Sequence, residues 1–154
     1  MNAATPAEAL AHAINGSSWL YPAANVVHVL GFVLVAGPLI AFDLRLLGVT
    51  RAGDIRDLAR TTLPWSLVGF GIALPAGLIL FGSDSAALLT NPAFRLKLLL
   101  LVLAAANAAA LHASGALKAL LPGTTVPLRP RLHAAASILL WVGVLVCGRM
   151  IAYV

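Results

Sequence analysis

The sequence predicts an all-α integral membrane protein, a four-helix bundle preceded by a short N-terminal helix at the membrane surface. Three observations carry that prediction. Of the 154 residues, 61% are hydrophobic and only 10% charged, about half the charge usual in soluble domains. The mean hydropathy is +0.98. Apolar stretches of the ~20 residues needed to cross a bilayer recur four times between polar connectors. Length allows one domain, residues 1–154. The formal charge of +5 and pI of about 10.4 reflect membrane topology here, so no nucleic-acid partner is expected. The single cysteine, Cys147, has no partner for an internal disulfide.

Taken in order, Thr5-Pro6-Ala7-Glu8 reads as a helix start, with a capping threonine, a proline at the first helical position and a capping-box glutamate. Asn15-Gly16 stops that helix, and Leu10 and Ile14 face lipid or the bundle. The first span covers about 19–42. Trp19 and Tyr21 suit an interfacial belt, and Asp43-Leu44-Arg45 marks the far edge. A polar connector through Thr61 carries Arg51, Arg56 and Arg60 against Asp54 and Asp57.

The second span, about 63–81, holds Pro75 near its middle, which predicts a kink and a freed carbonyl. Gly82-Ser83-Asp84-Ser85 reads as a turn. Asn91-Pro92 is a cap followed by a first-turn proline, opening a third helix that spans about 94–117 and ends near Pro122-Gly123. Pro122, Pro127 and Pro130 punctuate the next loop, and the fourth span covers about 131–153.

Orientation follows from cations in short loops. Arg45, Arg51, Arg56 and Arg60 flank the first connector, and Lys118, Arg129 and Arg131 the third. The positive-inside rule therefore places both termini on the periplasmic side of a bacterial inner membrane.

Ionisable groups within spans need a reason, since a charge at the bilayer centre costs about 2.5–3.5 kcal/mol on insertion scales. His28 lies roughly 13 Å below Trp19 on helical rise. Gly31 follows on the same face, which predicts a flat space beside the imidazole of the kind a porphyrin needs. A neutral histidine hydrogen-bonded to a carbonyl, with glycine serving helix contact, accounts for the pair equally well.

Arg95, Lys97 and Arg149 fall toward the outer ends of the third and fourth spans. They suit two haem propionates, or else snorkel to lipid phosphates. His112 and His133 lie at similar depth near the other end, where they are candidates for a second haem or a metal. His133 and Arg149 are 16 residues apart, ~160° around a helix, so only one faces the core; His133 is expected to point outward. His28 and His112 differ in level by about ten ångströms, which disfavours one iron held between them. Asn107 is placed to hydrogen-bond across the bundle, Trp141 to pack, and His12 to be solvated.

No P-loop, dinucleotide fingerprint, CxxC or CxxCH motif is present. The five acidic residues, nearly all in connectors, assemble no nucleophile–histidine–carboxylate set. Hydrolysis and nucleotide chemistry are not expected.

Several motifs resemble an uncharacterised family of small bacterial four-span membrane proteins, over nearly the whole chain. They are Trp19-Leu20-Tyr21-Pro22, His28-Val29-Leu30-Gly31, Asp43-Leu44-Arg45-Leu46-Leu47-Gly48, Asn91-Pro92-Ala93-Phe94-Arg95-Leu96-Lys97-Leu98 and Gly148-Arg149-Met150-Ile151-Ala152-Tyr153. More distantly, His28 followed by Gly31 and Gly37, and the Arg95-Leu96-Lys97-Leu98 start of the third span, are similar to copper-resistance D proteins and the haem-containing membrane protoporphyrinogen oxidase. In the oxidase a first-span histidine and a third-span lysine are functional, and His28 and Lys97 occupy matching places. The chain lacks that enzyme's fourth-span acidic residue and differs in first-span spacing.

The resemblance supports a b-type haem site. Together with the cation cluster it leads to the expectation of His28 as axial ligand, with Arg95, Lys97 and Arg149 receiving the propionates. Such a protein moves electrons between an outer-face donor and quinone or a porphyrin-like substrate, alone, as a homo-oligomer or within a membrane redox complex. The rival expectation is a cofactor-free structural or accessory subunit.

Overall fold

The computed structural model describes residues 11, 12, 14, 16–50, 53–119 and 125–154. The chain is all-α, with no strand among the described residues. Its elements are α1 (Leu20–Leu47), α2 (Ile55–Ser83), α3 (Ser85–Thr90), α4 (Pro92–Ala113), α5 (Ala116–Ala119) and α6 (Leu128–Met150). Four of these, α1, α2, α4 and α6, are long and apolar enough to cross a membrane. In each the apolar window is at most 22% buried by the protein itself. A water-soluble monomer does not leave that much apolar surface open, and lipid is the solvent that fits it. The chain is a multi-pass membrane protein by this criterion.

Most of the predicted surface helix, with Thr5, Leu10 and Asn15, lies outside the described residues. Ala11, His12 and Ile14 are helical, His12 is exposed, and Ile14 is 1% exposed, turned into the protein. The α1 helix stops where Gly48 adopts φ 81°, its N–H returning to the Arg45 carbonyl; glycine takes this left-handed conformation freely.

The second helix starts eight residues earlier than the expected span. Asp54 caps it by accepting from the Arg56 N–H at 2.7 Å, and Asp57 lies in its first turn. Arg56, Asp57 and Arg60 thus belong to helical turns that extend beyond the apolar stretch, not to a loop. The expected turn at 82–85 is a helix junction, where Asp84 caps α3 by accepting from the Ala87 N–H at 3.2 Å.

Asn91 and Pro92 open α4 as expected, Asn91 Oδ1 accepting from the Phe94 N–H at 3.0 Å. The Asn91 amide also donates to the carbonyls of Ile151 and Val154, at 3.2 and 2.6 Å, tying the start of α4 to the end of the chain. The third span ends at Ala113 rather than near 117, because Gly115 at φ 65° breaks the helix before α5. The fourth begins at Leu128, directly after Pro127.

Two hairpins make the bundle. The α1/α2 and α4/α6 pairs pack most extensively, and α1 joins them by packing on α6. A T-shaped contact between Phe32 and Trp141, ring centroids 6.1 Å apart, sits in that α1/α6 seam. Phe81 and Phe94 stack at 5.7 Å where α2 approaches α4. A compact apolar cluster of Phe42, Leu46, Ile55, Leu111 and Ala134 closes the opposite end.

The α1/α2 interface is tight because both faces are built from small residues. Ser66, Gly69, Ala73 and Gly77 recur every three or four positions on α2, opposite His28, Gly31 and Val35 on α1. A Cβ on Gly31 would stand 2.6 Å from the Ala73 nitrogen, and one on Gly69 would stand 2.7 Å from the Gly31 carbonyl oxygen. Small residues at this spacing let helix backbones approach closely in a membrane.

Candidate functional site

His28 is half-buried within the small-residue seam. Its Nδ1 lies 2.7 Å from the Ala73 carbonyl oxygen. A carbonyl only accepts, so Nδ1 carries the proton, and a neutral ring then keeps its lone pair on Nε2. The ring lies against α2 at Gly77, where a Cβ would stand 2.9 Å from Cε1 and 3.1 Å from Nδ1. Gly77 is thus the seat of the imidazole. Pro75 removes the N–H that would have bonded the Gly71 carbonyl, yet His28 takes the Ala73 carbonyl instead.

The structure corrects the role expected for Gly31. No flat space lies beside it, because the backbone of α2 at Ala73 fills that volume. Gly31 serves helix contact, and a planar ring has no slot on that face of His28.

The three expected cations do not converge. Arg95 is exposed. Arg149 is exposed too, donating to the Tyr153 hydroxyl at 2.9 Å with its guanidinium 5.3 Å from that ring's centroid. Lys97 alone turns inward. Its Nζ crosses to α6, 3.7 Å from the place a Cβ on Gly148 would take, and it lies within electrostatic range of His28 and of buried Cys147. Lys97 and His28 therefore form the polar centre of this end of the bundle.

At the other end, His112 is exposed and its Nδ1 is 2.9 Å from the Ala108 carbonyl of its own helix. It does not join His133. His133 is half-buried and faces inward, the reverse of the expected orientation, because Asn107 receives it. The His133 Nδ1–H donates to Asn107 Oδ1 at 2.7 Å, and Asn107 Nδ2 donates back to the His133 carbonyl at 2.9 Å. Arg149 is correspondingly the member of that pair turned outward. Among the described residues, no three histidine, cysteine or acidic side chains gather to hold a metal ion.

The donor chemistry at His28 suits haem iron in one respect. A metal-ligating histidine characteristically donates its other ring N–H to a carbonyl or carboxylate, and the Ala73 bond does this. Sequence reasoning missed Gly77 and Ala73, whose roles depend on the register of α2 against α1. It also missed Asp43 and Ser137, considered below. Compared with protein families, with curated proteins and with solved structures, the chain matches none.

Proposed function

We propose that the protein is a membrane-embedded, b-type haem redox protein in which His28 would hold the haem iron. The observation that carries this reading is the Nδ1–H bond to Ala73, which fixes the tautomer and leaves the ring lone pair on Nε2. Haem b, when bound, supplies a one-electron carrier.

The chain's own residues hold and tune it. Ala73 and Gly77 orient the imidazole. Of the three expected cations Lys97 is the one turned inward and would pair with a propionate, so Arg95 and Arg149 are left to lipid phosphates and to Tyr153. Such a haem would carry electrons between an outer-face donor and quinone or a porphyrin-like acceptor, within a homo-oligomer or a larger membrane redox complex. The test is haem b content of the full-length protein purified from haem-sufficient cells, measured as the pyridine haemochrome. Near-stoichiometric haem is expected, and none at all would remove the reading.

The second reading, a cofactor-free accessory subunit, is favoured by a specific observation. Gly31, Gly69 and Gly77 are all consumed by α1/α2 contact, so none is left over for a ligand.

The proposed site is the bacterial inner membrane with both termini periplasmic. Reporter fusions at Ser85 and at the C-terminus should report outside, and fusions at Asp54 and Thr125 inside. An inside signal at Ser85 would overturn this orientation.

A further inference from the structure

The sequence places Asp43 at the far edge of the first span. It is 3% exposed, flanked by Phe42 and one turn from Leu46 of the apolar cluster. Ser137 of α6 is the polar side chain facing its carboxyl, and Oδ2 has no hydrogen-bond partner. Buried polar side-chain atoms are ordinarily paired, as the Ser66 hydroxyl is, donating to the Val35 carbonyl at 3.3 Å.

The obvious counter-ion is occupied elsewhere. Arg45 directs Nε and a terminal nitrogen to the Gly53 carbonyl, at 3.2 and 3.0 Å. On the helices packed around Asp43, His133 of α6 is engaged with Asn107. His112 of α4 bonds its own helix, and Arg56, Asp57 and Arg60 of α2 are exposed. No cation among the described residues pairs with this carboxyl.

A metal ion is a poor occupant. Two carboxylate oxygens and one hydroxyl fall well short of the six or more oxygens a hard cation takes. A proton needs only one. It converts an acceptor-only group into one with a donor of its own and avoids a lone buried charge.

We propose that Asp43 is a proton-binding site, its carboxyl taking up and releasing a proton at Oδ2 beside the Ser137 hydroxyl. One O–H bond forms on uptake and breaks on release. The proton is exchanged with water at that end of the bundle, and no electron moves. The site lies 15 positions along α1 from His28, about 22 Å on helical rise, and does not depend on a haem.

The test is infrared spectroscopy of the full-length protein in lipid nanodiscs at neutral pH. A carboxylic-acid C=O band is expected that shifts in heavy water, declines on alkalinisation and vanishes completely in Asp43→Asn. Ser137→Ala should move the band's frequency, because the carboxyl loses the hydroxyl that faces it. Identical wild-type and Asp43→Asn spectra in this region would overturn the proposal, as would a band indifferent to heavy water and alkali. If Asp43→Asn does not fold, carboxyl-13C aspartate in the wild-type and Ser137→Ala proteins decides instead. An isotope-shifted acid band moved by Ser137→Ala supports the site, and its absence at neutral pH overturns it.

Discussion

Gly31→Leu should destabilise the bundle by about 3 kcal/mol, the upper end of ordinary overpacking penalties. Even the first added carbon would stand 2.6 Å from the Ala73 nitrogen and 2.9 Å from its Cα. Those atoms are backbone, so no rotamer change relieves the clash and α1 must move off α2. The movement also breaks the His28–Ala73 hydrogen bond and the close approach at Gly69. Gly71→Leu on the same hairpin is the control, since nothing lies within 4 Å of its added Cβ. It should stay within about 0.5 kcal/mol of the parent. Thermal unfolding in detergent, followed by circular dichroism, checks both. Equal melting of the two variants would show that α1 and α2 are not in this register.

His28→Ala should lose bound haem b entirely while still inserting as a four-span protein. Insertion depends on the summed hydropathy of α1, to which one side chain contributes little. The lost hydrogen bond to Ala73 is worth roughly 0.6 kcal/mol on the average for membrane proteins, too little to unfold the chain. Lys97→Ala should weaken haem retention in part, as of the three expected cations it removes the one turned inward at this end of the bundle. Arg95→Ala and Arg149→Ala should change it little, both side chains being exposed. His133→Ala and His112→Ala should leave haem in place, because both lie toward the opposite end of their helices. Haem per chain, measured for each purified variant, ranks them.

Features decided by local chemistry were legible in the sequence. Asn91-Pro92 caps a helix through its own side chain and ring, whatever packs around it. Asn107 was visible as a cross-bundle group because a mid-span amide has to find a partner inside the protein. His28 stood out for the same reason. What depended on apposition was not legible. A short polar residue at the end of an apolar run looks the same in solvent or in a core, so Asp43 read as an edge until α6 brought Ser137 to it. Helical geometry separated His133 from Arg149 by half a turn, but only Asn107 on a different helix decides which faces inward. Gly31 announced a close approach without saying of what. The partner is the backbone of α2. Arg56, Asp57 and Arg60 read as connector because charge suggested loop, whereas Asp54 starts the helix ahead of them.

The most direct test of the haem assignment is the dithionite-reduced-minus-oxidised absorption spectrum of the purified full-length protein beside that of His28→Ala. The wild type should show a Soret band that shifts on reduction together with the visible bands of a b-type haem, and His28→Ala should show neither. A bare protein spectrum from haem-sufficient cells would contradict the assignment, as would a reducible haem retained at full occupancy in His28→Ala.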